Sequence, residues 1–387
     1  MPAMPAKRRL SVATVFPLIV LGYVLIQIYA AWKAYVGLGF RPYAVPLLAF
    51  WIVLMTFSLP ILWRLEHRGW HRAATAIAWV GFSWMGWVFL FFWIALVLDV
   101  LGVTVGAAQA ALPGAAAYAS TLRSFPLAAG LAFLVAAYGF FDARRVRVER
   151  VVLASAKLSA GTKFRIALIS DVHLGALVGA RRLRRLIERL RRIDADIVVS
   201  AGDLVDGLED RLRELAPMFD ALRPRYGKFA VTGNHEYYAG IPHALDFHKR
   251  AGFTVLRGGA ADITPEISIA GVDDPTGRTN TDECVPLARI PRERFKILLK
   301  HQPVLRPDAE ALFDLQVSGH VHKGQIFPFG LFVRLAYPVR TGLTRLANGA
   351  CLYVSRGTGT WGPPMRVGAP PEITLIEIEA EQKRPGS

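Results

Sequence analysis

Thiols are almost absent from this chain: only two of its 387 residues are cysteine, and Cys284 and Cys351 form no close-spaced motif. That argues against a thiolate metal site and leaves nothing that demands an oxidising compartment. Charge is missing over long runs. Residues 11–32, 43–63, 74–98 and 125–141 contain no Asp, Glu, Lys or Arg. Each run is close to or beyond the ~20 residues with which a helix crosses a bilayer, the last being the shortest. Four of them within the first 145 residues, with Trp and Tyr near their ends, fit membrane spans better than buried helices of a large soluble protein. Residues 103–122, rich in Ala and Gly and containing Pro113, read as an extramembrane loop or a half-inserted segment.

Acid is the scarcer charge, with 30 Asp and Glu against 46 Lys and Arg. Lys7, Arg8 and Arg9 precede the first span, Arg64, Arg68 and Arg72 separate the second from the third, and Arg144, Arg145, Arg147 and Arg150 follow the fourth. The opposite side carries only Lys33, Arg41 and Arg123. The positive-inside rule then predicts a multi-pass protein of the cell (inner) membrane with its N-terminus and everything after residue 145 in the cytoplasm. A cleavable signal peptide over residues 7–31, or a twin-arginine signal at Arg8 and Arg9, competes for the first span; three further spans favour an uncleaved membrane domain. Residues 180–194 put Leu183, Leu186, Ile187, Leu190 and Ile193 on one helical stripe and arginines around it. This predicts a helix packed on a sheet with a solvated outer face, and contact with anionic headgroups is its functional alternative. These placements account for the net charge of +16 without nucleic acid.

The second half differs in pattern. Short runs rich in Ile and Val, at 165–170, 196–202, 228–233, 267–272, 296–300 and 315–319, alternate with helical patterns. They read as strands of a layered α/β domain whose sheet is covered on both faces. What ends each run is informative. Asp171 and His173 follow the first, Asp203 the second, Asn234 and His235 the third, His301 the fifth, and His320 and His322 the sixth. Each residue alone has an ordinary explanation as a cap, a turn or a surface group. Together they sit where open α/β sheets bind ligands, beyond the carboxyl ends of strands. Imidazole and carboxylate without thiolate favour manganese, zinc, iron or magnesium, and so many ligands favour two ions over one. Paired ions are a device of phosphoryl transfer, for which Asp203 is the candidate bridge.

The blocks Asp171-Val172-His173, Gly202-Asp203, Gly233-Asn234-His235 and Gly319-His320-Val321-His322, with His301 between the last two, resemble the signature of the calcineurin-like metallophosphoesterase superfamily. Residues 271–278 and 353–376 are similar to its bacterial membrane-associated branch. The resemblance implies that Asp171, His173, Asp203 and His322 hold one metal and that Asp203, Asn234, His301 and His320 hold the other, with manganese the first expectation. It also implies that His235 stays off the metals and assists the leaving oxygen. Glu236 stands where aspartate is more usual, and Lys323 where this branch often has glycine. Lys323, Arg278 and Arg356 are candidates for phosphate contact.

The expected organisation is an all-α transmembrane domain of about four helices (1–145), a linker (146–163), a calcineurin-like α/β metallophosphoesterase domain of layered β-sheet (164–378) and a polar tail (379–387). The expected activity is hydrolysis of a phosphoester or pyrophosphate bond, with a lipid-linked substrate suggested by the tether to the bilayer. A non-catalytic scaffold or binding protein is the alternative, opposed by the complete ligand set. A phosphodiesterase or nuclease acting on soluble substrates rests only on positive charge. A transporter would need ionisable groups within its spans, where only Asp99 and Asp142 occur, both at span ends.

Overall fold

A computed structural model describes residues 12–108 and 115–381. Lys7, Arg8, Arg9, Ser11, Pro113 and residues 382–387 of the expected tail lie outside them. Two compact units result, one comprising residues up to Phe141 together with Gly362–Val367 and the other the remainder.

The first unit is helical: α1 (Val12–Gly37), α2 (Val45–Thr56), α3 (Ser58–His67), α4 (His71–Ala107), α5 (Ala115–Leu122) and α6 (Phe125–Asp142). Pro17–Gly37, His71–Ala107 and Phe125–Asp142 are long and apolar enough to cross a membrane. The expected span 43–63 is not one helix. α2 and α3 meet at 53°, because Pro60 has no N–H to give and its ring collides with the carbonyl four residues back, at Thr56, where α2 stops. Counted as one span, the bent pair makes a fourth. Residues 103–107 prolong α4 and 115–122 form α5, so the expected loop is largely helical among the described residues. Asp99 consequently lies inside α4 rather than at its end, paired with Lys33 at 2.5 Å and accepting a hydrogen bond from Tyr29 at 2.6 Å. Paired in this way, it is a structural charge within an apolar bundle.

The second unit stacks two six-stranded sheets among the described residues. β1 (Arg147–Ser155), β2 (Lys163–Ile169), β3 (Ile197–Ser200), β4 (Lys228–Ala230) and β5 (Phe253–Val255) join β12 (Glu372–Ala380) in the order β1-β12-β2-β3-β4-β5. β6 (Gly259–Asp262), β7 (Ile267–Gly271), β8 (Phe295–Leu299), β9 (Leu315–Ser318), β10 (Gly342–Arg345) and β11 (Cys351–Val354) form the other, ordered β10-β11-β9-β8-β7-β6. β2 through β5 run parallel, as do β7, β8, β9 and β11.

Alternation along the strands builds two cores. Ile166, Leu168, Ile197 and Val199 face Ile297, Leu299, Leu315 and Val317 between the sheets. Ala167, Ile169 and Val198 face helices, foremost α7 (Ala180–Ile193), whose Leu183, Leu186, Ile187, Leu190 and Ile193 are all buried. Each such side chain contributes roughly 1.5–3 kcal/mol by leaving water. The shorter helices are α8 (Glu209–Leu212), α9 (Ala216–Asp220), α10 (Asn234–Ala239), α11 (Ile241–Arg250), α12 (Cys284–Ala288) and α13 (Phe329–Ala336).

Three expected boundaries move. The linker 146–163 contains β1, which pairs in parallel with β12 from Arg147↔Glu372 to Ser155↔Ala380. β12 therefore takes Glu379 and Ala380 from the expected tail. Gly362–Val367 leaves the α/β unit for the helical one, where a Cβ on Gly86 would lie 2.8 Å from Met365 and one on Gly139 2.8 Å from Val367. Glycine on the helices makes room for that segment.

Candidate metal centre

Five parallel strands end on one rim. β2 delivers Asp171 and His173, β3 Asp203, and β4 Asn234 and His235, all from the first sheet; β8 delivers His301 and β9 His320 and His322, from the second. The backbone must turn sharply to aim them inward. Asp171, His173, Asp203, His320 and His322 all have positive φ, between 47° and 72°, a conformation that non-glycine residues hold only where their surroundings compel it. Close approach explains two motif glycines. A Cβ on Gly233 would fall 2.2 Å from Asp203 Oδ1, and one on Gly319 2.4 Å from Asp171 Oδ2.

The side chains converge in three overlapping groups: Asp171 with His173 and His322, His173 with Asp203 and His235, and Asp203 with His301 and His320. His173 Nε2 and His322 Nε2 lie 3.1 Å apart, and His322 Nε2 is 3.3 Å from Asp171. His301 Nε2 is 3.2 Å from Asp203 and 3.2 Å from His320 Nδ1.

Outer contacts assign the ring nitrogens. His301 Nδ1 donates to the Ala201 carbonyl at 2.7 Å, leaving Nε2 as the inward nitrogen. The Tyr337 hydroxyl donates to Gln302 Oε1 at 3.2 Å and so accepts from His320 Nε2 at 2.9 Å, leaving Nδ1 inward. Asn234 Oδ1 is buried with no hydrogen-bond partner among the described residues. Inward ring nitrogens and an orphaned amide oxygen around two buried carboxylates fit divalent cations.

Electrostatics agree. Burial opposes ionisation of Asp203, but His301 and His235 outweigh it and hold the carboxyl well below the usual range. Asp171 is likewise held low, against burial, by His322 and His301. Burial, then His235, pushes His173 down to about 3, and burial, then His301, pushes His320 down to about 4, so both imidazoles are neutral at neutral pH. His301 is the exception: Asp203 overcomes its burial and raises its pKa, so its Nε2 holds a proton that a bound cation must displace.

His235 is distinct. Its Nδ1 lies 2.7 Å from Asp206 Oδ1, and although burial alone would lower its pKa, Asp206 and Asp203 raise it to about 9. A cationic imidazole with its outer nitrogen tied to Asp206 has Nε2–H left to donate. Tyr238 and Trp361 stand edge-on to its ring, at centroid distances of 5.3 and 5.5 Å. Trp361 is held in turn by Gln325, which accepts its N–H at 3.0 Å and donates to its carbonyl at 2.8 Å.

The three candidate phosphate contacts separate. Lys323 is exposed immediately after His322, with φ 53°. Arg278 is exposed at the end of a short turn, Pro275–Gly277, that abuts Tyr237 of α10. Arg356 is a correction: Glu372 at 2.5 Å and Glu149 engage its guanidinium, making it a strand-to-strand tie rather than a free anion binder. Sequence reasoning missed Asp206, Tyr337, Gln302 and Trp361. Only Asp206 carries a local signal, an acid three residues beyond Asp203 in Gly-Asp-Leu-Val-Asp-Gly (202–207).

Comparison with known proteins agrees with this geometry. Residues 164–324 match the calcineurin-like phosphoesterase family. An uncharacterized metallophosphoesterase of Aquifex aeolicus is 40% identical over 257 residues, 65% of this chain and 98% of that one. A transmembrane protein with metallophosphoesterase domain from Danio rerio is 33% identical over 67% of this chain and 63% of its own length. An uncharacterized metallophosphoesterase of Helicobacter pylori is 33% identical over 62% of this chain and 66% of its own.

Proposed function

The chain belongs to the calcineurin-like phosphoesterase family, and from that premise we propose that it is a membrane-anchored phosphoesterase that uses two divalent metal ions to hydrolyse a phosphoester or pyrophosphate bond of a lipid-linked substrate. The observation that carries this reading is the meeting of six clustered His and Asp side chains and the buried Asn234 oxygen with a protonated His235 held by Asp206 on one rim. Asp171, His173, Asp203 and His322 would hold one ion and Asp203, Asn234, His301 and His320 the other, with manganese first and zinc, iron or magnesium as alternatives. Bound there, the ions would supply Lewis-acid charge to the phosphoryl group and to a water nucleophile. The chain does the rest. His235 donates its Nε2 proton to the departing oxygen, Asp206 keeps the ring oriented and charged, and Trp361 and Tyr238 shield it from bulk water. Lys323 and Arg278, both exposed, remain the candidates for contact with substrate phosphate.

Lipid as the substrate class is supported by α13. Its ends connect to the centre through His322 and through Tyr337, which bonds His320. Yet Phe327, Leu331 and Leu335 next to and within it are 63%, 54% and 84% exposed. Exposed apolar side chains this close to a reaction centre suit an acyl chain or a bilayer surface. Apolar helices long enough to cross a membrane support the anchor.

The test is metal-dependent hydrolysis by the full chain in detergent, with soluble mono- and diesters and lipid phosphates, in wild type, Asn234→Ala and His235→Ala. Chelator-sensitive turnover abolished by both substitutions supports the enzyme, and preference for lipid phosphates lost in Leu331→Ser/Leu335→Ser supports the substrate class. A folded, metal-loaded chain that turns over none of them returns the non-catalytic scaffold to first place.

A further inference from the structure

The arginines of α7 are not simply a solvated face. Arg182, Arg185, Arg189 and Arg192 follow one another at helical spacing beside the buried stripe. With Arg144, Val146, Leu186 and Glu188 they line a cavity of about 190 Å³. Five guanidiniums face a single carboxylate. Two are fixed in place by the chain: Arg182 donates to the Ala143 carbonyl at 2.8 Å and to the Thr360 hydroxyl at 3.0 Å, and Arg189 donates to the Val146 carbonyl. Arg144 is half-buried, and burial together with the nearby charge of Arg185 lowers its pKa. Gathering like charges around a concave site is unfavourable unless an anion occupies it, and fixed guanidiniums match phosphate oxygens in planar, bidentate fashion. At 190 Å³ the cavity is smaller than the ~300–1,000 Å³ of sites that engulf a drug-sized ligand. It has room for a headgroup, not for a nucleotide or a whole lipid.

We propose that this cavity binds the phosphate headgroup of an anionic phospholipid, at a site separate from the metal centre. The chain's own order supplies the lipid: Arg144 comes two residues after Asp142, the last residue of α6 and of a candidate membrane span, so the assignment rests on the membrane reading of that helix. Juxtamembrane Lys and Arg are attracted to an anionic leaflet. A cavity adds to this a defined place for one phosphate.

The probe is short-chain phosphatidylglycerol, titrated calorimetrically into the metal-loaded full chain in uncharged detergent, with short-chain phosphatidylcholine and inorganic phosphate as parallel arms. The variant is Arg185→Gln/Arg192→Gln, whose side chains are exposed and leave both fixed arginines in place. Saturable binding of phosphatidylglycerol, absent for phosphatidylcholine and weakened at least tenfold in the variant, is the expected result. Equal binding by wild type and variant, or none by wild type, overturns the site. Inorganic phosphate binding as tightly as phosphatidylglycerol, and lost in the variant, overturns the lipid assignment. Hydrolysis of a soluble diester is expected to be the same in both proteins, which separates failure of this site from failure of the metal centre.

Discussion

Glu236 ties Asp203 to the loop that follows β4: one carboxylate oxygen accepts the backbone N–H of Asp203 at 3.0 Å and of Gly233 at 2.7 Å, and the other accepts Leu204 at 2.7 Å and Val205 at 3.2 Å. The fully buried side chain thus sets the spacing between the bridge candidate and the Asn234–His235 pair. Burial and Asp203 push its pKa up to about 7, while the Gly233 and Val205 N–H groups pull the other way. Glu236→Gln turns an NH₂ toward two of those donors. We expect a loss of about 3 kcal/mol or more in unfolding free energy, measured by denaturant titration, with weaker metal binding in the fraction that remains folded. Wild-type stability would show that the loops hold their spacing without it.

His235 and Asp206 act as a pair. His235→Gln is expected to lower turnover by about 10²–10⁴-fold with the bound metal unchanged. In Asp206→Asn the ring loses its nearest anion, so its pKa falls from about 9. Activity that needs the protonated ring then declines at lower pH, and the basic limb of the kcat/KM profile moves toward acid. An unmoved limb would assign the acid to another group.

Metal stoichiometry distinguishes the ligands. Wild type is expected to bind two ions per chain by elemental analysis, His301→Ala and His322→Ala one each, and Asp203→Asn fewer than either, because Asp203 belongs to two of the three ligand groups. Chelation should lower the thermal midpoint of wild type most. Ions at 100 times their dissociation constant stabilise by about 2.7 kcal/mol per site.

His248 tests the fold away from the centre. It is fully buried in α11, its Nδ1 donating to Ala244 at 2.7 Å and its Nε2 without a hydrogen-bond partner among the described residues. Burial lowers its pKa from 6.5 to about 4. Its contribution is therefore complete above pH 6.5, where folded and unfolded forms are both neutral. It is lost between 6.5 and 4, where the unfolded chain takes up a proton that the folded one refuses. The loss is about 3 kcal/mol. His248→Phe should flatten the urea midpoint over that interval while changing it little at pH 8.

All six strand candidates correspond to β2, β3, β4, β7, β8 and β9. The other six went unseen. The edge strands β1, β5, β6 and β10 lack an uninterrupted apolar run, β12 is broken up by charged residues, and the internal β11 is an apolar run of only four residues, Cys351–Val354, too short for local pattern to mark as a strand.

Local pattern by itself determined the apolar helices, six of the strands and the ligand-type residues at strand ends, since hydrophobic period, strand length and strand-end chemistry are written within a few consecutive residues. Tertiary structure decided what depends on partners distant in the chain. It assigned the five ligand-bearing strands to two different sheets, three from one and two from the other. It brought Asp206 to His235 and Glu236 to the amides of Asp203, turned Arg356 into a strand tie, broke the second apolar run at Phe57 and folded Arg144 against α7. A residue type and a period select an element, but which groups touch across elements is settled only when buried polar atoms must each find a partner in a close-packed interior.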